Sequence, residues 1–83
     1  MIFDCKTRIL HINEEEKIKL TKLEEKLLIC LATNNAISYL EIKKYTRTSN
    51  LRRLKKSLIE KTDLKIDVLR GFGLRLVNEV YFA

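Results

Sequence analysis

The chain contains no proline and no tryptophan, and only two glycines, two cysteines, one histidine and one methionine among its 83 residues. Without proline, and with apolar residues spread from end to end, nothing in it reads as a linker, a low-complexity tract or a disordered tail. Cys5 and Cys30 stand far apart with no CxxC spacing, and His11 is the one imidazole, which is too few soft ligands for a structural zinc site. Both cysteines are expected to be buried, reduced thiols of a cytosolic protein. No apolar run approaches the roughly 18 residues of a transmembrane helix. The N-terminal MIFDCK meets an acid at once, unlike a secretory signal. No Ser/His/Asp arrangement, phosphate-binding loop or dinucleotide fingerprint occurs, so neither an enzyme nor a cofactor is expected. His11 reads as an ordinary strand residue, and Glu14-Glu15-Glu16 as a solvated turn that blunts a sheet edge.

What the chain has in abundance is charge, unevenly placed. Charged residues make up 34% of it and the formal net charge is +6. Residues 1–42 carry six bases against seven acids, a net of −1, whereas residues 43–83 carry eleven bases against four acids, a net of +7. A chain that segregates charge in this way presents a basic face, and polyanions are the usual partners of such a face. The length suits one domain, residues 1–83, with a small stability margin.

Hydrophobic periodicity divides the chain into strands, three helices and a hairpin. Phe3 closes a first short strand, Ile9, Leu10 and Ile12 fall in a second, and Lys17-Ile18-Lys19-Leu20 alternates as a half-buried third. Thr21-x-x-Glu24 is a capping box that starts a helix with an apolar stripe of Leu23, Leu27, Cys30 and Leu31. Asn34-Asn35 is expected to end it in a left-handed conformation. Ser38-x-x-Glu41 repeats the capping box, with Ile37 and Ile42 at the staple positions, for a short second helix over about 39–45. A third helix is expected over about 49–61, with Leu51, Leu54 and Leu58 facing the core and Ser49, Arg52, Arg53 and Lys56 facing outward. Both glycines of the protein lie in Arg70-Gly71-Phe72-Gly73, between two β-favouring runs, as a tight hairpin tip requires. That hairpin spans about 66–77.

A three-helix unit with a basic third helix and a following hairpin suits B-DNA. The helix fits the major groove, where Arg pairs with guanine O6 and N7. The hairpin sets a cation in the minor groove, where the negative potential is enhanced. The expected fold is α+β, a winged helix-turn-helix with a short N-terminal antiparallel sheet, three helices and a C-terminal β-hairpin wing. The expected DNA-binding residues are Ser49, Asn50, Arg52, Arg53 and Lys56 on the helix, with Arg70 and Arg75 flanking the hairpin tip.

The segments FDCKTRIL, LTKLEEKLLICLATNN, AISYLEI, LRRLKKSL and IDVLRGFGLRLV, in this order, resemble the OmpR/PhoB-type winged-helix domain of bacterial response regulators across nearly the whole chain. The resemblance implies a bacterial, cytoplasmic transcriptional regulator that binds double-stranded DNA, pairs as a homodimer on direct repeats and contacts RNA polymerase. By position it implies that Arg53 with Ser49, Asn50 and Arg52 faces bases, that Lys56 meets phosphate and that Arg70 is the wing arginine. The family's long loop between helices two and three is here shortened to Lys44-Tyr45-Thr46-Arg47-Thr48, which leaves polymerase contact through that loop open. Val68 stands where the family often has a phosphate-binding Thr, and Leu74 where it often has a Tyr. No receiver domain precedes the module, so an excised domain, a stand-alone regulator and the N-terminal part of a membrane-anchored ToxR-type protein all remain open. So does a different class of function, in which the same fold serves as a protein-interaction module with weak or no DNA binding.

Overall fold

Two small sheets flank three helices in the computed structural model, which describes all residues from Met1 to Ala83. In chain order the elements are β1 (Ile2–Asp4), β2 (Ile9–His11), β3 (Lys17–Lys19), α1 (Lys22–Ala32), β4 (Ile37–Ser38), α2 (Tyr39–Thr46), α3 (Leu51–Thr62), β5 (Ile66–Leu69), β6 (Gly73–Leu76) and β7 (Tyr81–Phe82). The architecture is α+β. No helix is long and apolar enough to cross a membrane.

The first sheet has the order β3-β2-β1-β7. Strands β1, β2 and β3 pair antiparallel, with Phe3 opposite Leu10 and Leu10 opposite Ile18, so alternation turns this row toward the helices. Phe3 and Leu10 are fully buried. The turn between β2 and β3 is tied by Asn13, whose side-chain oxygen accepts from the Glu15 and Glu16 N–H groups at 2.8 Å each. The sheet differs from the expected all-antiparallel one because β7, from the other end of the chain, pairs parallel to β1. A two-residue strand has no periodicity to betray it. Phe82 completes the inner row, its ring edge-on to Phe3 at 6.2 Å.

Helix α1 starts at the expected capping box: Thr21 Oγ1 accepts from the Glu24 N–H, and Glu24 Oε1 accepts from the Thr21 N–H. Its buried face is rotated from the expected stripe. Leu23 is exposed, and Glu24, Leu27, Leu28, Cys30 and Leu31 are buried. Its C-terminus also differs, since Thr33 caps it in a right-handed conformation and Asn34 Nδ2 donates to the Cys30 carbonyl at 2.7 Å. No left-handed Asn is needed, because the amide side chain satisfies that orphan carbonyl instead.

Helix α2 begins as expected at Ser38, whose hydroxyl accepts from the Glu41 N–H at 3.2 Å, but Glu41 does not return the bond. Ile37 and Ile42 are both buried. Helix α3 begins at Leu51, two residues later than expected, because Asn50 Oδ1 caps it by accepting from the Arg53 N–H at 3.1 Å. Between the two helices Arg47 adopts a left-handed conformation with φ 55°. Buried Thr46 returns its hydroxyl to the Ile42 carbonyl and accepts from the Thr48 N–H, so hydroxyls hold a very short turn.

Strands β4, β5 and β6 form the second sheet, in the order β4-β6-β5. The β5–β6 hairpin folds where the glycines predict. Phe72 N–H donates to the Leu69 carbonyl, and Gly71 at φ 74° takes the third position of the turn, as in a type II turn. Gly73 is required for a different reason. It lies opposite Ser38, and a Cβ there would overlap the Ile37 carbonyl oxygen. One apolar core of fourteen residues joins the first sheet, the helices and the hairpin. Cys30 lies within it, and burial pushes its thiol pKa up to about 11. Cys5 is exposed, contrary to expectation, because it sits in the turn after β1 rather than on a strand face.

Candidate nucleic-acid interface

The amphipathic pattern of α3 decides which side chains it offers. Leu51, Leu54, Leu58 and Thr62 are buried, so the helix packs on its apolar edge and leaves its charged edge free. Its first turn contains no acid. The Asn50 side chain takes the Arg53 N–H of that turn, and a helix N-terminus carries partial positive charge.

On one flank of α3 a groove of about 510 Å³ opens between this helix, α2 and the hairpin. Lys43 from α2 and Arg52 and Lys55 from α3 line it, together with Ser49 and Asn50. Tyr39, Leu51, Val68 and Leu74 supply the apolar part, and no carboxylate borders it. At typical surface dielectric, cations grouped in this way reinforce one another at the approach of a polyanion. Lys43 and Lys55 were not among the expected site residues. Their signal was available only in three dimensions, because Lys43 lies on another helix and Lys55 is a half-buried neighbour of the core stripe.

Arg53 lies on the other flank. It borders a smaller cleft with Leu23, Thr48, Ser49, Asn50, Leu54 and Ser57. The adjacent arginines are thus divided, Arg52 toward the hairpin and Arg53 toward α1, with Ser49 and Asn50 shared by both clefts. Lys56 stands between them, its side chain three-quarters exposed and 3.9 Å from Glu60. That exposed pair holds it only weakly.

Arg70 is exposed at the hairpin turn, two residues beyond Val68 of the groove. The turn is anchored, since the Phe72 carbonyl accepts from the Tyr39 N–H at the start of α2 at 3.0 Å. Arg75 is not brought to this surface. It pairs across the hairpin with Asp67, Nη2 to Oδ2 at 2.6 Å, and the strand register puts this pair on the face opposite Val68 and Leu74. There it borders a separate cleft beside the end of α1, with Asn34 and Asn35. The structure therefore gathers Ser49, Asn50, Arg52 and Lys55 with Lys43, sets Arg53, Lys56 and Arg70 around them, and leaves Arg75 out.

Glu24 fixes this arrangement from behind. It is 1% exposed and accepts from the Ser57 hydroxyl at 2.7 Å and from Lys61 Nζ at 2.8 Å, both on α3. Burial alone would raise its pKa; Lys61, the Thr21 N–H and the Ser57 hydroxyl outweigh it and hold the carboxyl at about 2. A carboxylate locked in this way fixes the rotation of α3 about its axis, and so the directions of its outward cations.

No protein-family model matches the chain, and no curated protein or solved structure shows significant similarity to it.

Proposed function

We propose that the chain binds double-stranded DNA as a winged helix of the OmpR/PhoB type, in a bacterial transcriptional regulator. The observation that carries this reading is the acid-free groove lined by Lys43, Arg52 and Lys55 between α3 and the hairpin. An α-helix fits the major groove, and a hairpin beside it reaches toward the minor groove, with the intervening phosphate strand over the cations between them. Arg52 and Arg53 are the candidates for base edges, Lys43, Lys55 and Lys56 for phosphates, and Arg70 for the minor groove.

A second reading has a specific observation behind it. Val68 is 56% exposed beside Leu74 in the same groove, and an apolar floor of this kind serves a protein partner as readily as a phosphate strand. Fluorescence anisotropy with a labelled duplex separates the two. DNA binding requires retention at low salt, with affinity falling steeply between about 50 and 200 mM through counterion release. On a site selected from a random duplex pool, Arg53→Ala costs about 1–3 kcal/mol. No retention at low salt, or full retention by both Arg53→Ala and Arg70→Ala, transfers the proposal to the protein-interaction reading.

A further inference from the structure

The first sheet has two free edges, and they are built differently. At one edge β3 presents Lys17 and Lys19, both exposed, beside the exposed Glu14-Glu15-Glu16 turn. Charge on an edge strand opposes pairing with another chain. The other edge is β7, which carries no charged residue. Tyr81 and Ala83 make its bonds to the first strand: their N–H groups donate to the Met1 and Phe3 carbonyls at 2.9 Å, and the Ala83 carbonyl accepts from the Cys5 N–H at 3.3 Å. Main-chain groups of successive strand residues point to opposite sides, so Phe82 between them turns its N–H and C=O away from the sheet. The apolar surface follows the same edge. Of nine exposed large hydrophobic side chains, four, Ile2, Val77, Tyr81 and Phe82, lie on β7, on its partner strand or in the segment leading to it.

We propose that β7 is a self-association edge. Two copies pair antiparallel through it, Phe82 of one opposite Phe82 of the other, and their four-stranded sheets join into one of eight strands. Local charge favours a second copy as the occupant. Residues 76–83 carry no base and one acid, Glu79, which accepts from the Tyr81 hydroxyl at 2.8 Å. Residues 1–20, which build β1, β2 and β3, carry four bases against four acids, so two chains of +6 meet here with little repulsion. Geometry favours it as well. An edge that meets itself about a two-fold axis gives each Phe82 N–H the other's carbonyl, and the outer edges of the joined sheet are then the two lysine-bearing β3 strands. Assembly therefore stops at the dimer. None of this rests on the DNA-binding reading.

Sedimentation velocity over a concentration series tests the proposal on the whole chain. Phe82→Pro leaves the Tyr81 and Ala83 bonds to β1 untouched and removes the outward N–H, and Tyr81→Lys gives β7 the charge that β3 has. The expected result is a reversible monomer–dimer equilibrium weakened about tenfold or more by either substitution and unchanged by Lys17→Ala. A protein that stays monomeric up to roughly millimolar concentration overturns the proposal, as does a dimer that neither variant weakens. Should Phe82→Pro unfold by circular dichroism, Tyr81→Lys and amide hydrogen exchange decide. Protection of the Phe82 N–H that rises with protein concentration supports the edge, and exchange independent of concentration refutes it.

Discussion

Lys61 Nζ lies 2.8 Å from Glu24 Oε1, joining the last turn of α3 to the first turn of α1 across a buried carboxylate. The Thr21 N–H and the Ser57 hydroxyl donate to the same carboxylate, at 2.8 and 2.7 Å. The same residue therefore caps one helix and orients another.

The Glu24 pKa is lowered from 4.5 to about 2, so its contribution to stability is complete above pH 4.5 and is lost as the pH falls toward 2. The shift corresponds to stabilisation on the order of 3 kcal/mol at neutral pH. Glu24→Gln, which turns an amide N–H₂ toward Lys61 or Ser57, is expected to lose about that amount in urea unfolding at pH 7. The gap between the two proteins should close between pH 4.5 and 2. A gap that stays constant through that window would show that the carboxylate charge contributes nothing.

The two glycines of the hairpin predict unequal costs. A methyl group at Gly71 meets no atom within 4 Å and suffers only from the positive φ, so Gly71→Ala should cost about 1 kcal/mol. At Gly73 the added carbon overlaps the Ile37 carbonyl oxygen and crowds Ser38 Cα, both backbone and unable to step aside. Gly73→Ala must part β4 from β6 and should cost about 3 kcal/mol or more. Thermal unfolding of the two variants side by side measures the difference.

The contrast between these glycines shows how much of the fold the sequence reveals. Gly71 was legible as a turn residue, whereas Gly73, marked for the same turn, is required by its long-range approach to β4. The capping residues Thr21 and Ser38 and the apolar edge of α3 were legible too, because each is a local chemical signal. Glu24 was legible only as a cap. Hydrophobic pattern cannot place a carboxylate in a core, and its partners Ser57 and Lys61 lie more than thirty residues away. The strands β4 and β7 escaped for a related reason: two residues have no period, and their pairings with β6 and β1 are long-range. At the candidate interface the sequence marked the cations of α3 but not their partition. A helical wheel sets Arg52 and Arg53 on one outward face, while the packing of α1 and the hairpin on either side assigns them to different clefts. The departure of Arg75 was hidden for the same cause, since Asp67 becomes its neighbour only through the hairpin register.

The two thiols should differ in reactivity. Cys5 is exposed, whereas Cys30 is buried in the core and its pKa is pushed up to about 11, which keeps it protonated and weakly nucleophilic. One equivalent of iodoacetamide is expected to label Cys5 in the native protein, and Cys30 only with denaturant present. Peptide mass mapping of the alkylated protein locates the label. Equal labelling of both under native conditions would contradict the packing of α1.

Salt dependence offers the sharpest test of the interface itself, because it counts phosphate contacts one at a time. Each cation that neutralises a phosphate contributes about one unit to the slope of log affinity against log salt. Lys43→Ala on α2 and Lys55→Ala on α3, both lining the acid-free groove, should each weaken binding across all sequences and reduce the slope by about one. Arg75→Ala should change neither quantity, since Asp67 already neutralises Arg75 on the far face of the hairpin. If Arg75→Ala lowered the slope while Lys43→Ala and Lys55→Ala did not, the duplex would have to lie against the other face of the hairpin, beside the end of α1, and the groove would not be the site.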